Sequence, residues 1–235
     1  MKGVIPMSRR NVYCIIDTET ANMTDVYNMG LVIFTKKELL FAREYVNIDV
    51  FDNDDVMNNA YYLYKKPLYR DMDVVYNTTK GIIRDFAVLL NKFHVTHLLA
   101  YNLEFDVRSL TYTANKYANI NLSWKNMKMV DIMRNSVETL CVSRNYKKFC
   151  NTYGYKTEKG NYQYKAETII RYLTDNVQYD EQHTALQDCI DEMYIFQRLL
   201  KRKKKITFGC RQQLWKLLQW VTVSTTTLTN YYKKL

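Results

Sequence analysis

The sequence predicts a mixed α/β domain, in which a five-stranded sheet is flanked by helices and followed by a basic C-terminal extension. Three observations support this prediction. Strand-like segments come first in the chain, strands then alternate with helical patterns, and the charge balance changes abruptly near residue 200. Residues 1–200 are therefore expected to form one domain, and residues 201–235 an extension of it.

The first predicted elements are three consecutive strands, at residues 11–17, 28–34 and 39–48. All three are rich in β-branched and aromatic residues. Because only short polar breaks separate them, they are expected to form an antiparallel meander. Residues 49–79 are rich in Asp, Asn and Tyr, and we expect them to form an irregular connection with a short helix.

Helices dominate the rest of the predicted domain. Apolar residues recur at helical spacing in five segments, at 80–93, 103–118, 134–152, 165–176 and 182–202. Two apolar runs between them predict buried strands, at 96–102 and 127–133. Thr184 is the expected N-cap of the last helix, because Gln187 three residues later completes a capping box.

The composition is that of a globular protein. The chain has 235 residues, of which 47% are hydrophobic, enough to fill the core of one domain. It contains no apolar run of membrane-spanning length and no secretory signal, so we expect a cytoplasmic location and no membrane partner. The five cysteines are scattered without a Cys-x-x-Cys pair, which argues against a disulfide framework and a thiolate zinc site.

The positive charge is concentrated at the C-terminal end. Nine of the 34 basic residues lie within residues 201–235, which contain no acidic residue, so the preceding basic residues nearly balance the 24 acidic ones. The basic run is either a phosphate-binding patch or the solvated end of the last helix. Residues 211–221 have the apolar spacing of an amphipathic helix. The candidate nucleic-acid contacts of the extension are Lys201, Arg202, Lys203, Lys204, Lys205, Arg211 and Trp215.

A pair of carboxylates ends the first predicted strand. In "IIDTET" (residues 15–20), Asp17 and Glu19 project from the same face, since strand side chains alternate. Two like charges that close repel each other unless a cation lies between them. The alternative is an exposed strand end with solvated acids.

Two further acids and a histidine lie near the starts of predicted helices. Asp106 follows a buried strand and falls in the first turn of the next helix. Asp188 falls about one turn into the last helix, five residues after His183. Taken singly, each acid is explained as well by the helix dipole or by solvation of a surface helix.

Together these three motifs resemble the DEDDh 3′–5′ exonucleases. The motifs are "IIDTETANMTDVYNMGLVIF", "HLLAYNLEFDVRSL" and "EQHTALQDCIDEMYIF", which match the family in order and spacing over roughly residues 11–200. The resemblance implies a ribonuclease H-like fold, whose βββαβα order agrees with the predicted elements. Tyr101, Leu103 and Glu104 depart from the residues that many relatives carry there.

The resemblance also implies a chemistry for these residues. Asp17, Glu19, Asp106 and Asp188 would be oxygen ligands of two Mg²⁺ or Mn²⁺ ions, and His183 the general base. The cations would explain why the two carboxylates of "DTET" are tolerated side by side. The implied substrate contacts are Thr20, Met23, Asn102 and Phe105, although Met23 and Phe105 are also explained by core packing.

The tyrosines of residues 61–69 form a separate feature. They are interleaved with Lys65, Lys66 and Arg70. The pattern is typical of a nucleic-acid-binding surface, on which tyrosines stack on bases and basic side chains contact phosphates. It is about equally typical of a partly buried surface helix.

The leading functional hypothesis is a metal-dependent 3′–5′ exonuclease that acts on single-stranded DNA, or on RNA, and releases nucleoside 5′-monophosphates. Its expected partners are nucleic-acid 3′ ends and a polymerase or replisome subunit. One alternative is an oligoribonuclease-like enzyme for short RNAs, and another is a non-catalytic binding module on the same fold. The bias toward Asn, Lys, Tyr and Ile suggests an AT-rich genome, as in a bacteriophage or bacterial repair enzyme.

Overall fold

The computed structural model describes residues 11–202, 205–210 and 214. It confirms a mixed α/β fold built on one sheet, whose strands lie in the spatial order β4-β3-β2-β1-β5-β6. The strands are β1 (Tyr13–Ala21), β2 (Asp25–Phe34), β3 (Leu39–Asn47), β4 (Val75–Asn77), β5 (His97–Ala100) and β6 (Lys128–Asp131).

Strand pairing follows the predicted meander and then the alternation with helices. β1, β2 and β3 are antiparallel neighbours, whereas β5 and β6 run parallel to β1. The carboxyl ends of β1, β5 and β6 therefore meet at one edge of the sheet, which is where ligand sites form in open α/β sheets. The sheet has six strands and not the five expected, because the prediction missed β4. This strand pairs in parallel with β3 at the outer edge of the sheet.

The helices cover both faces of the sheet. They are α1 (Ile48–Phe51), α2 (Asp54–Met57), α3 (Thr79–Lys92), α4 (Leu103–Ala118), α5 (Ile132–Ser136), α6 (Arg144–Tyr153), α7 (Ala166–Thr174) and α8 (Ala185–Arg202). A 3-10 helix (Leu63–Arg70) precedes β4, and a π-helix (Val137–Cys141) separates α5 from α6. The helical pattern predicted at 134–152 therefore corresponds to more than one helix. Its last part begins anew at Ser143, whose side chain caps α6 by accepting a hydrogen bond from the backbone N–H of Tyr146.

Strand side chains alternate between two cores. Tyr13 and Ile15 of β1 pack with α6, α7 and α8 on one face, whereas Cys14 and Ile16 pack with α3 and α4 on the other. Cys14 and Cys189 are both fully buried and act as small core residues.

The N-terminus of α8 lies directly against β2. An added Cβ at Gly30 would lie 2.0 Å from the backbone oxygen of Ala185, so only glycine permits this approach. Asn28, two residues earlier on the same strand, accepts a hydrogen bond from the backbone N–H of Ala185 at 3.1 Å. Since Asp17 of β1 pairs with Gly30, this contact brings the start of α8 beside the end of β1.

The chain after α8 returns to the β6 edge of the sheet. The N–H of Gly209 donates to the carbonyl of Met129 at 2.8 Å, and Asn135 exchanges two hydrogen bonds with the backbone of Thr207. Leu214 is buried in the same core as α8. Apart from Leu214, the predicted amphipathic helix at 211–221 lies outside the described residues, as do the candidate contacts Lys203, Lys204, Arg211 and Trp215.

Among the described residues, no helix combines the length and the apolar character needed to cross a membrane.

Candidate active site

The end of β1 supplies the first two acids of the site. Asp17 and Glu19 are both half-buried on one face of the strand, as their spacing predicts. Thr18, between them, faces the opposite way and is buried. A β-bulge follows at Glu19 and Thr20, where the register with β2 shifts. The bulge re-aims the end of the strand, as bulges beside active sites commonly do.

Asp106, in the first turn of α4, is tied to β1. The backbone N–H and the hydroxyl of Thr18 both donate to its Oδ1, at 3.0 Å and 2.9 Å. The carboxylate is buried, with 3% of its surface exposed. These two hydrogen bonds hold α4 against the strand that carries Asp17 and Glu19.

Asp188 completes the cluster from α8. Its carboxylate lies close enough to those of Asp17 and Glu19 that one oxygen of each falls within 4.8 Å of the others. Asp188 Oδ1 is buried and has no hydrogen-bond partner among the described residues. Three chain segments that are far apart in sequence therefore bring four acids to one edge of the sheet.

Burial and mutual repulsion both disfavour the charged forms of these acids. Burial raises the pKa of Asp106 to about 7, that of Glu19 to about 8 and that of Asp188 to about 9. The pKa of Asp17 also rises well above its usual range, through burial and then through repulsion from Asp106 and other nearby acids. When these acids are ionised, the cluster carries an excess of negative charge, which a bound cation would neutralise.

Glu192 is an acid of the site that sequence reasoning missed. It lies one turn after Asp188 on α8, is 3% exposed, and its Oε2 has no hydrogen-bond partner among the described residues. Burial and the neighbouring Asp106 and Asp188 raise its pKa well above the usual range. The i, i+4 spacing from Asp188 was the available signal, since it puts both side chains on one helix face.

His183 lies in the loop that leads into α8. Its backbone is left-handed, with φ of 51°, and its Nδ1 is 3.7 Å from Glu181 Oε2. Burial, followed by the nearby Lys65, lowers the pKa of the imidazole. His183 is therefore neutral near pH 7, which a general base requires.

A cleft of about 770 Å³ collects these groups. The four acids, Glu192 and His183 line it, together with Asn102 and Phe105, two of the expected substrate contacts. Its volume lies within the roughly 300–1,000 Å³ range of small-molecule sites.

Other predicted site residues lie elsewhere. Thr20 and Met23 are not among the lining residues of this cleft, and Met23 is 70% exposed in the turn after β1. Lys201, Arg202 and Lys205 are exposed at the far end of α8 and just beyond it. Lys201 is about 20 Å along the helix from Asp188, at about 1.5 Å per residue.

The donor set fits hard divalent cations. Asp17, Glu19 and Asp188 offer only carboxylate oxygens, with spare acceptor capacity at the unpaired Asp188 oxygen. Mg²⁺ and Mn²⁺ prefer such ligands. Glu181, His183 and Asp188 form a second group of potential ligand atoms within 4.8 Å of one another.

Comparison with known proteins supports the fold. No family model and no curated protein sequence matches the chain. Among solved structures, it is similar to cell-death related nuclease 4, at 12% identity and a TM-score of 0.52, over 86% of this chain and 70% of the other. It is also similar to the nuclease domain of 3′hExo, a DEDDh family member solved with bound rAMP, at 12% identity and a TM-score of 0.50, over 87% and 99% of the two chains.

The chain therefore has the ribonuclease H-like fold of the DEDDh exonucleases, as its motifs predicted. Its acids and histidine come from the end of the first strand, the first turn of α4 and the start of α8.

The pKa shifts predict how stability depends on pH and metal. Without metal, the folded protein holds protons on Glu19, Asp106 and Asp188 up to pKa values of about 8, 7 and 9, whereas the unfolded chain releases them near about pH 4. The free energy of unfolding should then fall as pH rises between these limits. Added Mg²⁺ should stabilise the protein more at pH 8 than at pH 5, because carboxylates bind Mg²⁺ in their deprotonated form.

Thermal denaturation in EDTA and in Mg²⁺ across this pH range measures both trends. A metal-free protein whose stability rose steadily toward pH 9 would contradict the assignment of the cluster.

Proposed function

We propose that this protein is a metal-dependent 3′–5′ exonuclease, which hydrolyses the terminal phosphodiester bond of single-stranded DNA and releases nucleoside 5′-monophosphates. The observation that carries the proposal is the convergence of Asp17, Glu19, Asp106, Asp188 and His183 on one cleft of this fold. The neighbour solved with rAMP has a nucleotide bound to the same fold, which supports a nucleotide product here.

Two divalent metal ions, Mg²⁺ or Mn²⁺, would supply electrostatic stabilisation of the attacking and leaving oxygens when bound. Asp17, Glu19, Asp106 and Asp188 would hold them. Asp17 would be central to this set, because its carboxylate lies close to those of Glu19 and Asp188.

His183 performs the proton transfer in this proposal. Its neutral imidazole accepts a proton from the attacking water, while the water oxygen forms a bond to phosphorus. The bond from phosphorus to the 3′ oxygen of the penultimate nucleotide breaks, and that oxygen takes up a proton. The products are a shortened strand with a free 3′ hydroxyl and a nucleoside 5′-monophosphate.

Asn102 and Phe105 would position the terminal nucleotide, because both line the cleft beside Asp106. Phe105 is half-buried and offers a ring on which a base can stack. The roles of Thr20 and Met23 are the weaker part of the proposal, since neither lines the cleft.

The test uses a 5′-labelled single-stranded DNA and an RNA of the same sequence, each with Mg²⁺, Mn²⁺ or EDTA. We expect a metal-dependent ladder that shortens from the 3′ end, faster on DNA, and absent in Asp17→Asn and His183→Ala. A 3′-labelled strand should release its label as a mononucleotide from the start. Asp55→Asn is the matched control, because Asp55 is an exposed acid on α2 outside the cleft.

The same experiment separates the alternatives. Faster cleavage of short RNA would favour the oligoribonuclease-like enzyme. No ladder with any metal, while the oligonucleotide still shifts on a gel, would overturn the catalytic proposal and leave a nucleic-acid-binding module. A polymerase or replisome partner is proposed only from the resemblance.

A further inference from the structure

The tyrosine-rich segment at residues 61–70 lies beside the loop that carries His183. It belongs to the long connection between β3 and β4, and it forms a cleft of about 1,000 Å³ with residues 180–184. The cleft is lined by Tyr62, Lys65 and His183 among others. The two segments are more than a hundred residues apart in the chain, so their contact is a tertiary feature.

Lys65 is buried, which is unusual for a lysine. Only 7% of its surface is exposed, and its ammonium donates to the backbone carbonyl of Gln182 and, at 3.4 Å, to that of His183. Lysine is almost never this buried unless its charge is compensated. Here the two carbonyls compensate the positive charge of Lys65, together with nearby acids such as Glu19. The charge of Lys65 opposes the rise that burial causes in the pKa of Glu19.

Tyr62 contacts the histidine ring itself. The two ring centroids are 4.7 Å apart and the planes differ by 17°, so the rings are stacked. The Lys65 ammonium lies 4.8 Å from the centroid of Tyr62. One segment thus holds the backbone of the His183 loop with Lys65 and the imidazole with Tyr62.

The loop needs such support for two reasons. His183 has a left-handed backbone, which is unfavourable for a residue other than glycine. The carboxylate that pairs with its imidazole is that of Glu181, and at 3.7 Å it is too far for a firm hydrogen bond. The loop conformation is therefore held mainly by what packs against it.

A phosphate-binding role for the same segment fits less well. Asp71, Asp180 and Glu181 line the cleft and would repel a nucleic-acid backbone. The Lys65 ammonium is already occupied by the two carbonyls, and Lys66 pairs with Asp54 at 3.1 Å. The contacts favour a positioning role instead.

We propose that Lys65 and Tyr62 form a clasp that holds the His183 imidazole in position for proton transfer. This inference rests on the proposed function. Lys65 is a positioning residue in it, because it acts through the loop and does not itself line the cleft that holds the acids.

Lys65→Met removes the ammonium while keeping an aliphatic side chain of similar length. We expect kcat to fall by about tenfold to a hundredfold, because a catalytic group that is displaced from its position loses that much activity. KM should change by less than about threefold. Lys65→Arg should restore part of kcat, since a guanidinium can still donate to both carbonyls. Lys66→Met is the control, and its kcat should equal that of the wild type, because Lys66 pairs with Asp54 away from the loop.

NMR of the histidine side chains supplies a readout that is independent of activity. The chain contains only three histidines, so His183→Ala assigns the His183 signals. Stacking on Tyr62 should shift them upfield, and Lys65→Met and Tyr62→Ala should both remove this shift while Tyr62→Phe keeps it. This measurement decides the clasp even if the wild-type protein proves not to be a nuclease.

Two results would overturn the proposal. The first is wild-type kcat in Lys65→Met, and the second is His183 signals that stay unchanged in Lys65→Met and Tyr62→Ala. If Lys65→Met does not fold, Tyr62→Ala and Lys65→Arg test the same clasp by the same two measurements.

Discussion

Asp188→Asn is expected to lower kcat with Mg²⁺ by about a thousandfold, equivalent to about 4 kcal/mol in the activation free energy. Asn keeps the shape of the side chain but removes the charge that Asp188 contributes beside Asp17 and Glu19. The three carboxylates together form the proposed cation site, so a neutral amide weakens it at its centre.

The same substitution should stabilise the metal-free protein at pH 8. Asp188 is buried next to other acids, and its pKa of about 9 shows that ionisation there is unfavourable. At pH 8 the aspartate must therefore take up a proton when the chain folds, which costs stability, whereas Asn folds without this cost. The midpoint of thermal denaturation in EDTA should then rise, while stabilisation by Mg²⁺ shrinks. Higher stability combined with lower activity would identify the cluster as a functional site.

Asp191→Asn is the matched control on the same helix. Asp191 is also buried, but its carboxylate accepts hydrogen bonds from Tyr179 and Gln187 and lies outside the acid cluster. We expect its kcat to stay near the wild-type value. Equal losses of kcat in Asp188→Asn and Asp191→Asn would count against a specific role for Asp188.

Gly30→Ala is expected to reduce the free energy of unfolding by about 3 kcal/mol, the upper part of the range for overpacking a core. The new Cβ would lie 2.0 Å from the backbone oxygen of Ala185 and 2.5 Å from the backbone nitrogen of Leu186. These are backbone atoms of a long helix, which cannot move aside as a side chain can. Urea denaturation measures the loss.

Gly81→Ala provides the comparison for this effect. A Cβ at Gly81 would also come within 2.0 Å of an atom, but that atom belongs to the side chain of Asn77, which can rotate away. Gly81 lies in the first turns of α3, where Ala is favoured over Gly by up to about 1 kcal/mol. Its stability should stay within about 1 kcal/mol of the wild type. A Gly30→Ala protein as stable as Gly81→Ala would refute the close approach of α8 to β2.

The sequence predicted the parts of the molecule that local patterns encode. Periodicity predicted the meander of β1, β2 and β3 and the bounds of α4. The three motifs predicted that the four acids and His183 come together. β4 was missed because it has only three residues, none of them fully buried. The break between α5 and α6 depends on a π-helix and a serine cap inside an otherwise helical pattern.

The contacts between distant segments could not be read from local patterns. Lys65 and Tyr62 stood out only as members of a tyrosine-rich stretch, since nothing in that stretch points to residues 182 and 183. Glu192 looked like an ordinary helical acid until α8 was placed against β1. Tertiary packing decides which of many polar residues face a site, and one sequence holds no direct record of it.

The docking of α8 on β2 has a consequence for the newly made chain. A nascent polypeptide that ends before residue 185 already contains Asp17, Glu19 and Asp106, but it lacks Asp188 and the helix that Gly30 and Asn28 receive. Domains fold as their segments emerge from the ribosome, and contacts between distant segments form late. The acid cluster is therefore completed only when the last helix has been synthesised, so an unfinished chain would carry three of the four acids without an assembled cluster.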